Sequence, residues 1–241
     1  MRPKSYALAE LTWPEVGRAL ARDARLLLPV GALEQHGPHL PLGTNTFIAE
    51  AVCREVSRDC QILLAPTFAY GVTGPRAGAY AGTATLRRKT LHRAVNELLA
   101  AWEDHGVAEM ILLTAHRYDP HLDALLMALT ADSVTTVVDL YAIDVSDVLE
   151  GTAVAEHAGE LETSLMLHLA PERVRAEQIQ DVSPTDRHSR RYMRGRMPTP
   201  PAASQGVVGY PSRATAAKGE AVFRRYVRAL ASALTRARVG A

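Results

Sequence analysis

Short apolar runs alternate with stretches of helical periodicity through the first 140 residues. Aliphatic residues fill 26–31 (Leu26, Leu27, Leu28, Pro29, Val30, Gly31), 62–66, 110–114 and 135–140. Runs of that length and β-branched or leucine-rich content predict buried strands. Between them, helical spacing predicts a helix over 46–58 with Ile48, Val52 and Val56 on one face, and another over 91–105 with Val95, Leu98, Leu99 and Trp102 inward. A third is predicted over 122–131. A short helix precedes the first strand, entered through Thr12 as N-cap with Pro14 in its first turn, where a missing N–H costs little. The last helix spans 216–236, with Val222, Tyr226, Leu230 and Leu234 at core spacing. Alternating strands and helices predict an α/β fold with a mostly parallel central sheet and helices on both faces. No interdomain linker interrupts the pattern before residue 170, so 1–241 reads as a single domain. The stretch 183–204 departs from it: five arginines (Arg187, Arg190, Arg191, Arg194, Arg196) and four prolines with almost no aliphatics predict a solvated loop or oligomer arm.

Composition narrows the class. Hydrophobic residues make up 47% and charged residues 22%, with a formal net charge of +1, so there is no global field to attract nucleic acid or an anionic membrane. No stretch approaches the roughly 18 apolar residues of a membrane span, and the N-terminus has no apolar leader core. Cys53 and Cys60, seven apart, lack a CxxC spacing and predict reduced thiols in a cytoplasmic protein.

The chemistry concentrates where predicted strands end. The first is followed by Glu34, Gln35, His36 and His39 within six residues, in a loop shaped by Gly37, Pro38 and Pro41. In an open α/β sheet, ligands bind beyond the carboxyl ends of the strands. Glu34 and His36 at i, i+2 share one side of an extended backbone, and a carboxylate with an imidazole is a natural start to a zinc or manganese site. His116 follows the third strand in the same topological position. A second cluster, Glu156, His157, Glu160 and Glu162, heads the apolar run 165–169. The Gly-rich loop 71–83 lacks the lysine–serine pair of a phosphate cradle, and its length argues for a functional loop near the site.

Residues 29–42 (Pro-Val-Gly-Ala-Leu-Glu-Gln-His-Gly-Pro-His-Leu-Pro-Leu) resemble the opening motif of the creatininase family. His157-Ala158-Gly159-Glu160-Leu161-Glu162-Thr163-Ser164 and the stretch 206–219 resemble its two later motifs, most like the mycofactocin-maturation peptidase branch. The resemblance implies a three-layer α/β/α fold, a homohexamer, and one or two divalent ions of zinc, manganese or iron. It implies hydrolysis of a C–N bond in a small cyclic amide or short peptide-like substrate, with no nucleic-acid or membrane partner. It also implies Glu34, His36, His116 and Glu162 as metal ligands, with Asn45 at a ligand position, and His157 with Glu160 as catalytic groups. Activated water attacking a carbonyl while a histidine passes its proton to the leaving nitrogen is chemistry such a site supports.

Several positions depart from the family pattern. Asn45 stands where a metal-bridging aspartate is usual, and Arg117 and Tyr118 replace two glycines after His116; in creatininase itself a metal-binding glutamate stands at the latter position. Arg76 replaces a histidine of the Gly-rich loop, and Tyr210 an aspartate. One expectation is a single-metal site whose pocket, lined by His39, Arg76, Arg117, Tyr118 and Tyr210, takes a different, anionic substrate, with Asp119, His121 or Asp123 as substitute ligands. The alternative is a metal-free relative that binds a ligand or partner without hydrolysis.

Overall fold

The computed structural model describes residues 6–74, 80–128, 132–151, 156–185, 187 and 204–239, the last four through their backbone. Four parallel strands form the central sheet: β1 (Arg25–Val30), β2 (Leu63–Leu64), β3 (Glu109–Thr114) and β4 (Val134–Asp139), in the spatial order β2-β1-β3-β4. The helices are α1 (Trp13–Leu20), α2 (Thr44–Cys60), α3 (Arg88–Glu103), α4 (Asp119–Leu126), α5 (Glu160–Leu169) and α6 (Ala216–Val239). The chain steps outward from β1 to β2, then back across to β3 and on to β4. Right-handed crossovers therefore place α2 on one face, and α3 and α4 on the other.

Side-chain alternation along the strands agrees with this. Leu27, Ile111 and Leu113 pack with α2, α5 and α6, while Leu26, Leu28, Val30, Met110 and Leu112 pack with α1, α3 and α4. The result is the three-layer α/β/α arrangement with a parallel sheet. Pairing aligns Val30 with Thr114, and Thr114 with Asp139, so the chain leaves β1, β3 and β4 at one level. β1 is also where the winding reverses, the crevice in which open sheets bind ligands.

Two elements differ from the sequence expectation. β2 is only two residues long because it pairs with β1 on one side and meets a single bridge from Ala7 on the other, and Pro66 cannot extend the ladder. α4 begins before Pro120 rather than after it, since proline fits the first helical turn. In α1 the Glu15 carboxylate accepts from the Thr12 backbone N–H at 2.8 Å, the expected helix start. The first turn of α5 carries Glu160 and Glu162, acids that the helix dipole favours. Gly219 lets α6 cross α5 closely: a Cβ there would lie 1.9 Å from the Ser164 carbonyl oxygen. Both cysteines are free thiols. Among the described residues no helix is long and apolar enough to cross a membrane. Most of 183–204, including Arg190, Arg191, Arg194 and Arg196, lies outside the described residues.

Candidate metal centre

Four separate segments meet beyond the carboxyl ends of β1 and β3. The loop after β1 supplies Glu34, Gln35 and His36, and the first turn of α2 supplies Asn45. The chain after β3 supplies His116, and the entry to α5 supplies His157 and Glu162. Glu34, His36, Asn45, His116 and Glu162 are each no more than 5% exposed. His157 is half-buried, at the edge of the cluster. Ligand atoms of Glu34, His36 and His157 all lie within 4.8 Å of one another.

Hydrogen bonds fix each imidazole. His36 Nδ1 donates to the Glu34 backbone carbonyl at 3.0 Å, leaving Nε2 facing Asn45 Oδ1 at 3.1 Å and Glu162 Oε1 at 3.5 Å. Those three atoms are all acceptors when the ring is neutral, and acceptors converge only around something positive. His116 Nε2 donates to the Val72 carbonyl at 2.8 Å, which turns Nδ1 toward Asn45 Nδ2 at 3.1 Å and Glu34 Oε2 at 3.2 Å. The Gly-rich loop thus reaches the site through its first residues, as its length suggests. His157 Nε2 lies 2.8 Å from the Gln35 carbonyl oxygen and 2.9 Å from the Gln35 side-chain Nε2, and its ring lies 4.6 Å from that of His36. Gln35 is itself clamped, its Oε1 accepting from Gly37 N and its Nε2 donating to the Gly206 carbonyl. Gly206 is required here, since a Cβ would sit 1.8 Å from Gln35 Oε1.

Glu162 is held from three sides. Its Oε2 accepts from the Ala158 N–H at 2.6 Å, and its Oε1 accepts from the Tyr141 hydroxyl at 3.0 Å. Ala158 adopts φ +53°, a left-handed conformation unfavourable for alanine, that aims its N–H at the carboxylate. Burial would raise the Glu162 carboxyl, but the charge and hydrogen bond of His36, with His157 and Ala158 behind them, bring it down to about 2. Burial would likewise lower the His36 imidazole, yet Glu162 and then Glu34 hold it up to about 9. In the absence of any other cation, the proton on His36 neutralises this half of the cluster. His157 moves the other way, lowered by burial and by its charged neighbour His36. It is therefore neutral near pH 7 and able to take up a proton.

Other expected site residues lie elsewhere. Glu160 is fully buried but faces away: two residues apart on a helix, Glu160 and Glu162 point in opposite directions. Its oxygens accept from Lys218 Nζ at 2.6 Å and from the backbone of Glu150 and Gly151. Arg117 is exposed and turned to Asp139 at 3.1 Å. Tyr210 is stacked under Arg213, 4.2 Å from ring centre to guanidinium carbon. His39 is enclosed, bonded to Thr163 Oγ1 at 3.0 Å, and burial followed by the charge of His36 lowers it to about 4. Tyr118 remains near the cluster, its ring 6.2 Å from that of His116. Arg76 lies outside the described residues. Of the substitute ligands, His121 is spent on Val72 N and Thr114 Oγ1, and Asp123 pairs with Arg88; Asp119 is exposed in the first turn of α4. Sequence reasoning missed Tyr141 and Val72, because neither residue type signals a ligand shell.

A family model for creatininase, described as creatinine amidohydrolase, matches residues 9–234. The chain belongs to the creatininase family. It is 30% identical over 204 residues to creatinine amidohydrolase of Pseudomonas putida, covering 75% of this chain and 78% of that one. It is 31% identical over 231 residues to the mycofactocin precursor peptide peptidase of Mycobacterium ulcerans, covering 90% and 82%. Its fold superposes on a mutant creatininase of the Zn-Zn type with a TM-score of 0.82 at 26% identity, over 97% of this chain and 98% of that one. This creatininase-family chain is thus an enzyme of the amidohydrolase class.

Proposed function

We propose that this creatininase-family protein is a metal-dependent amidohydrolase that cleaves a C–N bond of a small cyclic amide or peptide-like substrate. The observation that carries this reading is the convergence of His36 Nε2, Asn45 Oδ1 and Glu162 Oε1 at 3.1 and 3.5 Å. Ligand atoms around one zinc-sized ion are spaced by roughly 3–3.5 Å, as bond lengths of about 2.0–2.2 Å require. The donor set, imidazole and carboxylate with an amide oxygen, suits zinc, manganese or iron(II). Tyr141 and Ala158 orient the carboxylate as outer partners of such sites do. The names of the relatives, one acting on creatinine and one on a precursor peptide, support the substrate class.

A divalent ion bound there supplies Lewis-acid polarisation of a carbonyl and a water acidified toward neutrality. The chain's own residues do the rest. Hydrolysis adds water's oxygen to the carbonyl carbon, breaks the C–N bond and delivers a proton to the departing nitrogen. His157, whose Nε2 is held between the Gln35 carbonyl and the Gln35 side-chain nitrogen, takes up water's proton and passes it to that nitrogen.

The test is metal analysis of purified protein, with hydrolysis of creatinine and short peptide amides before and after chelation. Bound Zn, Mn or Fe and a chelation-sensitive release of amine are expected. Protein that neither retains nor rebinds an ion overturns the reading. That result would favour the second reading, a ligand-binding relative without hydrolysis, which the direct 3.5 Å contact of His36 with Glu162 supports.

A further inference from the structure

The cluster is organised around one uncharged group. Asn45 is 1% exposed, and its two amide atoms face opposite halves of the site. On the oxygen side stand His36 Nε2 at 3.1 Å and, 3.5 Å from that nitrogen, Glu162 Oε1. On the nitrogen side, Nδ2 lies 3.1 Å from His116 Nδ1 and 3.4 Å from Glu34 Oε2. Those two acceptors are only 3.2 Å apart. When the His116 ring is neutral and its Nε2 hydrogen goes to the Val72 carbonyl, Nδ1 presents a lone pair. The two hydrogens of the NH2 group therefore meet one acceptor each, an imidazole nitrogen and a carboxylate oxygen.

We propose that Asn45 makes this a one-ion site, its carboxamide oxygen joining His36 and Glu162 around a single divalent cation while its NH2 group closes the Glu34–His116 half against a second. This inference rests on the metal reading above. A carboxylate at position 45 could offer one oxygen to each half; an amide offers oxygen to one and N–H to the other, and an N–H dipole repels a cation. Formal charge agrees. The clustered carboxylates of Glu34 and Glu162 balance one dication, and a second would enter without a balancing anion. Turning the amide over would exchange the halves without opening both, since one carbonyl oxygen still serves one ion. Glu34 and His116 are both hydrogen-bonded to that same nitrogen.

The experiment is titration of chelator-stripped full-length protein with Zn2+ by calorimetry, with Co2+ spectra as a second probe and circular dichroism to verify folding. One equivalent per chain is expected for the unmodified protein and two for Asn45→Asp, a substitution of nearly identical shape. His116→Ala should keep the single ion, with affinity changed less than about tenfold. His36→Ala or Glu162→Gln should weaken it at least 100-fold. Two ions in the unmodified chain, or one in a folded Asn45→Asp, overturns the inference while the metal reading stands. Loss of the ion in His116→Ala with retention in His36→Ala overturns its placement. No ion in any variant overturns both.

Discussion

His36 Nε2 and Glu162 Oε1 face each other at 3.5 Å inside a pocket where the imidazole is wholly buried. The pair sets the acid–base behaviour of the ion-free protein. His36 titrates at about 9 in the folded state against 6.5 in its absence, so its contribution is full below 6.5 and is lost as pH rises through 9. Glu162 titrates at about 2 against 4.5, so its contribution is full above 4.5 and is lost as pH falls through 2. Thermal scans of stripped protein should show a plateau between pH 4.5 and 6.5, with Tm falling on both sides. Because an ion must displace the His36 proton, Zn2+ affinity should climb by up to about tenfold per pH unit between 7 and 9. A pH-independent affinity would show that His36 does not ligate.

Tyr141→Phe removes the hydroxyl that donates to Glu162 Oε1 at 3.0 Å. Outer-shell donors of this kind change metal affinity by about 10–100-fold, and calorimetric Zn2+ titration should show a loss in that range. Stability of the stripped protein should drop by only about 1 kcal/mol. Unchanged affinity would mean that the Ala158 N–H alone orients the carboxylate.

His157→Ala should leave one ion per chain and lower kcat by about 10²–10⁴-fold, the usual worth of a positioned acid or base. KM should move far less. Loss of the ion together with activity would instead make His157 a ligand, the role its spacing from Glu34 and His36 also permits.

Lys218→Met leaves the fully buried Glu160 without its cationic partner, although the backbone N–H groups of Glu150 and Gly151 still reach it. A destabilisation of about 2–3 kcal/mol is expected in urea unfolding, reduced from the full cost of a broken buried pair because those donors remain. Metal stoichiometry should not change, since Glu160 faces away from the ligands.

Much of this was legible in the chain itself. Aliphatic runs located every described strand to within about one residue at its outset, and the loops that follow β1 and β3 carry candidate ligands because strand ends in such sheets are where backbone turns sharply. The positions that the structure sets apart from the cluster share a cause. Motif proximity placed Glu160 with Glu162, but helical rotation separates side chains two residues apart. Arg117 and Tyr210 carry binding chemistry by type, yet local partners, Asp139 and Arg213, engage them first. Tyr141 and the Val72 carbonyl were invisible because a phenol after an edge strand and a backbone oxygen leave no compositional trace. The antisymmetry of Asn45 was half visible: its neutrality can be read from the letter, while the direction of its dipole needs neighbours.

Glu34 and His116 come from loops and Glu162 from the first turn of α5, and they meet only once the sheet has closed and α5 has docked. An unfolded polypeptide offers no comparable cage, so an ion held here would bind the native state almost exclusively. Its free concentration would then set how readily the whole chain unravels, adding about 2.7 kcal/mol at a hundred times the dissociation constant. Resistance to heat or protease would depend on the supply of a trace element in the surrounding solution.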